Sequence, residues 1–180
     1  MKSPLYPNLN MLETTINEGP KVWQCPQSKG IYIRFADYRQ WLRTVETDTD
    51  TTTKDFQPIE VTPEDARAKS CPESGGILRR YHISSDLPIH LDWSPSSGGI
   101  WLDGGEWDIL VEHSLHTQLH NIISDSWQRN IRKEATETRR KERLEDKLGE
   151  ADYQKVSDFK TWLSNHLHRS EILAYLQHTE

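Results

Sequence analysis

The sequence predicts an α+β protein: two small antiparallel β modules, then a long amphipathic-to-charged helix, then a C-terminal helical hairpin. Three observations support this. Tight turns rich in Pro and Gly come in a pair, Cys71-Pro72-Glu73-Ser74 and Ser94-Pro95-Ser96-Ser97, each followed by two glycines. The start of the chain repeats that pair, with Ser3-Pro4-Leu5-Tyr6 and Cys25-Pro26-Gln27-Ser28 in the corresponding places. Beyond Gly105 the apolar residues change to a helical period.

Residues 1 to 44 form the first module and 70 to 105 the second. Past the second turn the two copies keep in step: Gly30-Ile31-Tyr32-Ile33 matches Gly99-Ile100-Trp101-Leu102, and Asp37-Tyr38 matches Glu106-Trp107. Neither module alone has much core, so each is expected to pack on the other or on the helices. Residues 45 to 69 read as an acidic, Thr-rich linker. Within it Thr62-Pro63-Glu64-Asp65 marks the start of a short helix through about Ala68.

From 106 to 148 one continuous helix is expected. Trp107, Leu110, Val111, Leu115, Leu119, Ile122, Ile123, Trp127 and Ile131 form its apolar stripe, and Lys133, Glu137, Lys141 and Glu145 form a ladder of alternating charge. Gly149 ends it as a cap residue. In 150 to 180, Tyr153, Val156, Phe159, Trp162, Leu163 and Leu167 mark a further helix. Ser170 caps a last turn, and the simplest arrangement is a helical hairpin folding back over the Trp127 region.

The turns and the GGIWLDGGEW run of the second module resemble the transcription-factor-IIB-type zinc ribbons of bacterial proteins, whose pattern is CPxC, a spacer, then CPxC followed by GIW[IL]D and an acidic-aromatic pair. The KGIYIRFADY of the first module is a looser version. The resemblance implies small β ribbons built around structural zinc, with no inherent catalysis. It also places the former ligand positions at Ser3, Tyr6, Cys25, Ser28, Cys71, Ser74, Ser94 and Ser97. Only Cys25 and Cys71 still carry thiols, and structural zinc takes four thiolate or imidazole donors. No metal or other cofactor is therefore expected. Zinc supplies on the order of 10 to 16 kcal/mol to small finger peptides, so other contacts must replace it. Trp23, Tyr32, Tyr38, Trp41, Trp93, Trp101 and Trp107 are the available substitutes, each worth about 2 kcal/mol or more when buried.

His113, His116 and His120 fall at i, i+3 and i+7 on the expected helix. The first and last would lie about 10 Å apart, too far for one ion without His82 or His90 from the second module. Helix-surface histidines are the plainer reading. The net charge of −6 argues against a partner reached mainly through nucleic-acid phosphate or anionic lipid. Glutamates interleave with the basic residues near Arg139, so that cluster is a solvated or partner-facing surface. Without an apolar leader, a stretch long enough to span a membrane, or a disulfide framework, a cytoplasmic location is expected.

The composition carries no paired Ser/His/Asp arrangement, phosphate loop or complete metal signature, so the chain reads as a non-enzyme. The function that follows is a protein-protein interaction or adaptor role within a larger assembly, with Arg132, Arg139, Arg140, Arg143, Trp162, Leu173, Tyr175 and Leu176 as candidate partner contacts. The alternative is a transcription- or nucleic-acid-associated protein of the ribbon type.

Overall fold

The computed structural model describes residues 1–17, 19–45, 67–87 and 89–178. Contacts divide the chain into two units, Met1–Arg132 and Lys133–Glu180.

In the first unit the described strands are β1 (Leu12–Thr15), β2 (Lys21–Gln24), β3 (Ile31–Ile33), β4 (Arg79–His82), β5 (His90–Trp93) and β6 (Ile100–Leu102). They form one antiparallel sheet in the order β1-β2-β3-β6-β5-β4. The two halves are equivalent in register: Leu12↔Gln24 to Thr15↔Lys21 in the first half correspond to Arg79↔Trp93 to His82↔His90 in the second. The halves meet edge to edge, β3 against β6, with Tyr32 opposite Trp101 at the centre. Of the two packings that the sequence left open, the structure takes both, since helices also cover the sheet.

Alternation along β3 and β6 explains why every one of their residues is buried. Ile31, Ile33, Ile100 and Leu102 face a cluster that includes Tyr38, Trp107, Leu110, Leu119 and Ile122. Tyr32 and Trp101 belong to a second cluster with Met11, Cys25, Cys71 and Leu78. A strand covered on both faces is apolar throughout, which is how IYI and IWL read.

The helices of this unit are α1 (Phe35–Leu42), α2 (Glu106–Glu112), α3 (Leu119–Ile122) and the start of α4 (Asp125–Leu148). The single helix expected over 106–148 is thus broken between 113 and 124. Ser114 sits at φ 55, Ser114 N–H donates to Val111 O at 3.0 Å and Leu115 N–H to Leu110 O at 2.8 Å. This is a Schellman ending with serine in the left-handed position that glycine usually takes. A 3-10 turn at His116–Gln118 follows. The Tyr38 hydroxyl holds that turn by donating to His116 O (2.9 Å) and accepting from Leu119 N–H (3.1 Å). Ser124 Oγ then caps α4 by accepting from Trp127 N–H at 3.3 Å. Trp127 Nε1 donates to Ile83 O (3.0 Å) and Gln128 Nε2 to His82 O (2.7 Å), which fixes the first turns of α4 on the second half of the sheet.

In the second unit α4 ends at Leu148, and Gly149, at φ 75, separates it from α5 (Glu150–Ser164). A turn at 165–168 leads to α6 (Arg169–Gln177), which begins before Ser170, so that serine is helical and His168 holds the cap position. The helix expected from Thr62 lies outside the described residues as far as 66, and Arg67 and Ala68 are not helical. Among the described residues no helix is long and apolar enough to cross a membrane.

Candidate functional site

Three of the four turns share one backbone geometry. Cys25, Cys71 and Ser94 each receive their fifth-following carbonyl on their own N–H (2.7 to 2.8 Å), and each carbonyl accepts from the N–H four residues on (2.8 to 3.0 Å). The residue in that fourth place has positive φ every time: Lys29 (61°), Gly75 (74°) and Gly98 (71°). Such a loop points a series of amides at the first side chain. Cys71 Sγ accepts from Ser74 N–H at 3.4 Å, and Ser94 Oγ from Ser97 N–H at 3.3 Å. The Ser3 turn makes the same contact with Tyr6 N–H at 3.3 Å but is one residue longer before closing, Ser3 N–H reaching Leu9 O at 3.0 Å. The Ser3 and Ser94 hydroxyls therefore accept a turn amide as the Cys71 sulfur does, and Ser is suited to that role in turns.

The expected positions converge in two sets. In the second half Cys71 is hydrogen-bonded with Ser74, Ser94 and Ser97, and in the first half Cys25 is bonded with Ser28 and Ser3. The remaining position, Tyr6, is half-buried against the same cluster as Cys25. Burial pushes both thiols up. For Cys71, hydrogen bonds from Ser74, Ser94, Ser97 and Tyr32 outweigh it and bring the thiol down to about 6. For Cys25 the Ser28 and Ser3 hydroxyls, with the amides of Ser28 and Gln27, leave it below the ordinary cysteine value.

Sequence reasoning placed Tyr32 in the core without assigning it a position among these turns. From the first half it reaches across the β3–β6 seam into the set of the second, with its hydroxyl 2.9 Å from Ser97 Oγ, 3.2 Å from Cys71 Sγ and 3.1 Å from Glu73 Oε2. Its ring lies directly over Gly99, and Trp101 lies correspondingly over Gly30, so each half closes the other's turn with an aromatic ring. Both rings are fully buried. Burial first, then the Cys71 hydrogen bond, raise the Tyr32 phenol far above its ordinary value.

A second group went unnoticed in the sequence. Lys69, from the end of the linker, is 1% exposed at its side chain, and its Nζ lies 2.8 Å from Asp92 Oδ2 and 2.5 Å from Asp103 Oδ2. Arg80 Nε binds Asp92 Oδ1 at 3.2 Å, Trp101 Nε1 donates to Asp103 Oδ1 at 2.7 Å, and Glu106 accepts from the backbone N–H groups of His90 (3.0 Å) and Asp103 (2.7 Å). Burial lowers the lysine, but Asp103 and Asp92 more than reverse this and hold it above its ordinary value. The signal available in the sequence was Asp92, an acid set between Leu91 and Trp93 in a strand buried on both faces.

The histidines do not gather. His113 follows α2, His116 packs between Trp41 and Trp107 in tilted and edge-on contacts with ring centroids at 5.9 Å from each, and His120 is exposed on α3. The break at Ser114 removes the single helix that would have aligned them. Among the described residues no group of three or more His, Cys, Asp or Glu is placed to hold a metal ion.

Of the candidate partner contacts, Arg132, Arg139, Arg140 and Arg143 are exposed on α4, and Trp162, Tyr175 and Leu176 are exposed on α5 and α6. Leu173 is half-buried and offers less surface than expected. Phe159 and Trp162 are in ring contact at 5.5 Å, and Trp162 and His166 at 4.6 Å. No protein-family model, curated protein or solved structure matches the chain.

Proposed function

We propose that the protein is a non-catalytic interaction or adaptor protein, a component or assembly factor of a larger complex. In this reading its sheet is a pair of transcription-factor-IIB-type ribbons that have exchanged zinc for side-chain packing. The interaction role rests on the surface of α5, α6 and the turn between them, where Trp162, Leu167, Tyr175 and Leu176 are 52%, 90%, 81% and 57% exposed. Val156 and Phe159 continue the Trp162 face at helical spacing. Apolar surface left in water is unfavourable by about 25 cal/mol per Å², and a run of exposed aromatic and aliphatic side chains marks an interaction surface. Arginines such as Arg139, Arg140 and Arg143 suit the rim of such an interface. The ribbon origin draws its support from the three like turns and the two convergent sets around Cys25 and Cys71.

The test compares the full chain with a Trp162→Ala, Tyr175→Ala, Leu176→Ala variant as bait in cells of the native source. A partner recovered with the wild type and reduced about tenfold or more with the variant, at equal helical content, is the expected result. Equal recovery would remove α5 and α6 from the reading. Exposed arginines on α4 favour the nucleic-acid alternative, and binding to DNA or RNA that falls steeply with added salt would put that alternative first.

A further inference from the structure

The Lys69 group is not needed to build the sheet. By strand register the first half has Met1, Trp23 and Arg34 where the second has Lys69, Asp92 and Asp103, yet it pairs its strands in the same way. Taking an ammonium and two carboxylates out of water is unfavourable by several kcal/mol per ion. The arrangement around them is also directional. One Asp103 oxygen faces the lysine, while the other accepts the Trp101 indole N–H; one Asp92 oxygen faces the lysine, while the other is held by Arg80.

We propose that Lys69 and Asp103 become joined by an intramolecular isopeptide bond, with Asp92 carrying the protons. Lys69 Nζ passes a proton through Asp92 to Asp103 Oδ2, and the neutral amine attacks Cγ of the resulting carboxylic acid, forming the Nζ–Cγ bond. Negative charge develops on Oδ1, where the Trp101 N–H at 2.7 Å is already aimed to stabilise it. The C–Oδ2 bond then breaks. The departing oxygen takes both protons lost from nitrogen, delivered through Asp92, and leaves as water. An ammonium and a carboxylate become an amide and one water, Asp92 ends as it began, and no other reactant takes part. Holding the reacting groups in contact supplies the proximity that such a condensation needs, and replacing two buried charges with a neutral amide drives it. The bond ties the segment before the Cys71 turn to the end of β6.

Intact mass spectrometry of the purified full chain in denaturant decides the matter. The expected mass is one water below that of the sequence, with a digest joining the Lys69 and Asp103 peptides. Lys69→Arg and Asp92→Asn should restore the full mass, and Asp103→Asn should lose one ammonia in place of water. A wild-type chain at full mass, whose Lys69 amine is labelled by an amine reagent after unfolding, would overturn the proposal. The wild-type measurement needs no variant to fold, and neither outcome bears on the partner surface of α5 and α6.

Discussion

Tyr32 offers the sharpest test of how the sheet is held. Its ring is fully buried over Gly99, and its hydroxyl lies among Cys71, Glu73 and Ser97. Tyr32→Phe keeps the ring and removes the hydroxyl. The Glu73 contact is exposed and its loss costs little, but Cys71 is buried and Ser97 half-buried, so about 1 to 2 kcal/mol is expected. Tyr32→Ala also opens a cavity across the β3–β6 seam and should cost about 3 to 5 kcal/mol. At roughly 4 °C per kcal/mol for a unit of this size, the melting temperature falls by about 4 to 8 °C for Phe and about 12 to 20 °C for Ala. Thermal melts followed by circular dichroism read both, with Leu12→Ala, at a 62% exposed edge position, expected to stay within about 0.5 kcal/mol. If Tyr32→Ala melted like Leu12→Ala, the claim that this ring closes the Cys71 set would be wrong. A Phe variant as stable as wild type would reduce the hydroxyl contacts to bystanders.

Further expectations follow from the same geometry. Because the Cys71 thiol is at about 6 in the fold, below its unfolded value, the stability it contributes is present above the ordinary cysteine pKa and is lost as pH falls through about 6; urea midpoints measured across that window should decline, and a flat profile in a Cys71→Ser control would assign the decline to this thiol. Tyr32→Phe should also move the Cys71 titration upward, as read by ultraviolet thiolate absorbance, since one of its four side-chain donors is gone. Gly99→Ala places a methyl against the fixed Tyr32 ring and should cost about 1 to 3 kcal/mol in chemical unfolding, whereas Gly75→Ala meets open space and suffers only from its positive φ. Ser74→Cys, Ser94→Cys and Ser97→Cys combined with Tyr32→Phe should create a four-thiolate site; a tetrahedral cobalt spectrum at one ion per chain is expected from the variant and not from wild type, and its absence would count against the proposed ribbon ancestry.

The turns and the central strands were legible because their signals are local. Turn residues recur at fixed spacing, and IYI and IWL read as buried strands. The junction between the halves was not legible, since pairing Tyr32 with Trp101 joins residues far apart in sequence and nothing in either strand names its partner. The helix break was hidden because the apolar period runs on through Leu115 and Leu119. Its stop signal is Ser114, a residue type that seldom adopts positive φ and does so here just before the turn that Tyr38 holds. The Lys69 group was hidden for a different reason: a lysine beside an acidic linker reads as solvated until the fold brings Asp92 and Asp103 to it. Sequence spacing singles out the turn residues around Cys25 and Cys71, while the ring that closes the Cys71 set comes from the other half of the chain.

The seam between β3 and β6 bears on how such a protein can evolve. Two identical hairpin units meeting this way would form a dimer with a twofold axis, and whatever side chain lay on that axis would have to face its own image. One polypeptide carrying both units is released from that restriction. Here a phenol faces an indole at the axis, and the two sides differ in chemistry while keeping one backbone plan: one side buries a lysine with carboxylates, and among the described residues the other side does not.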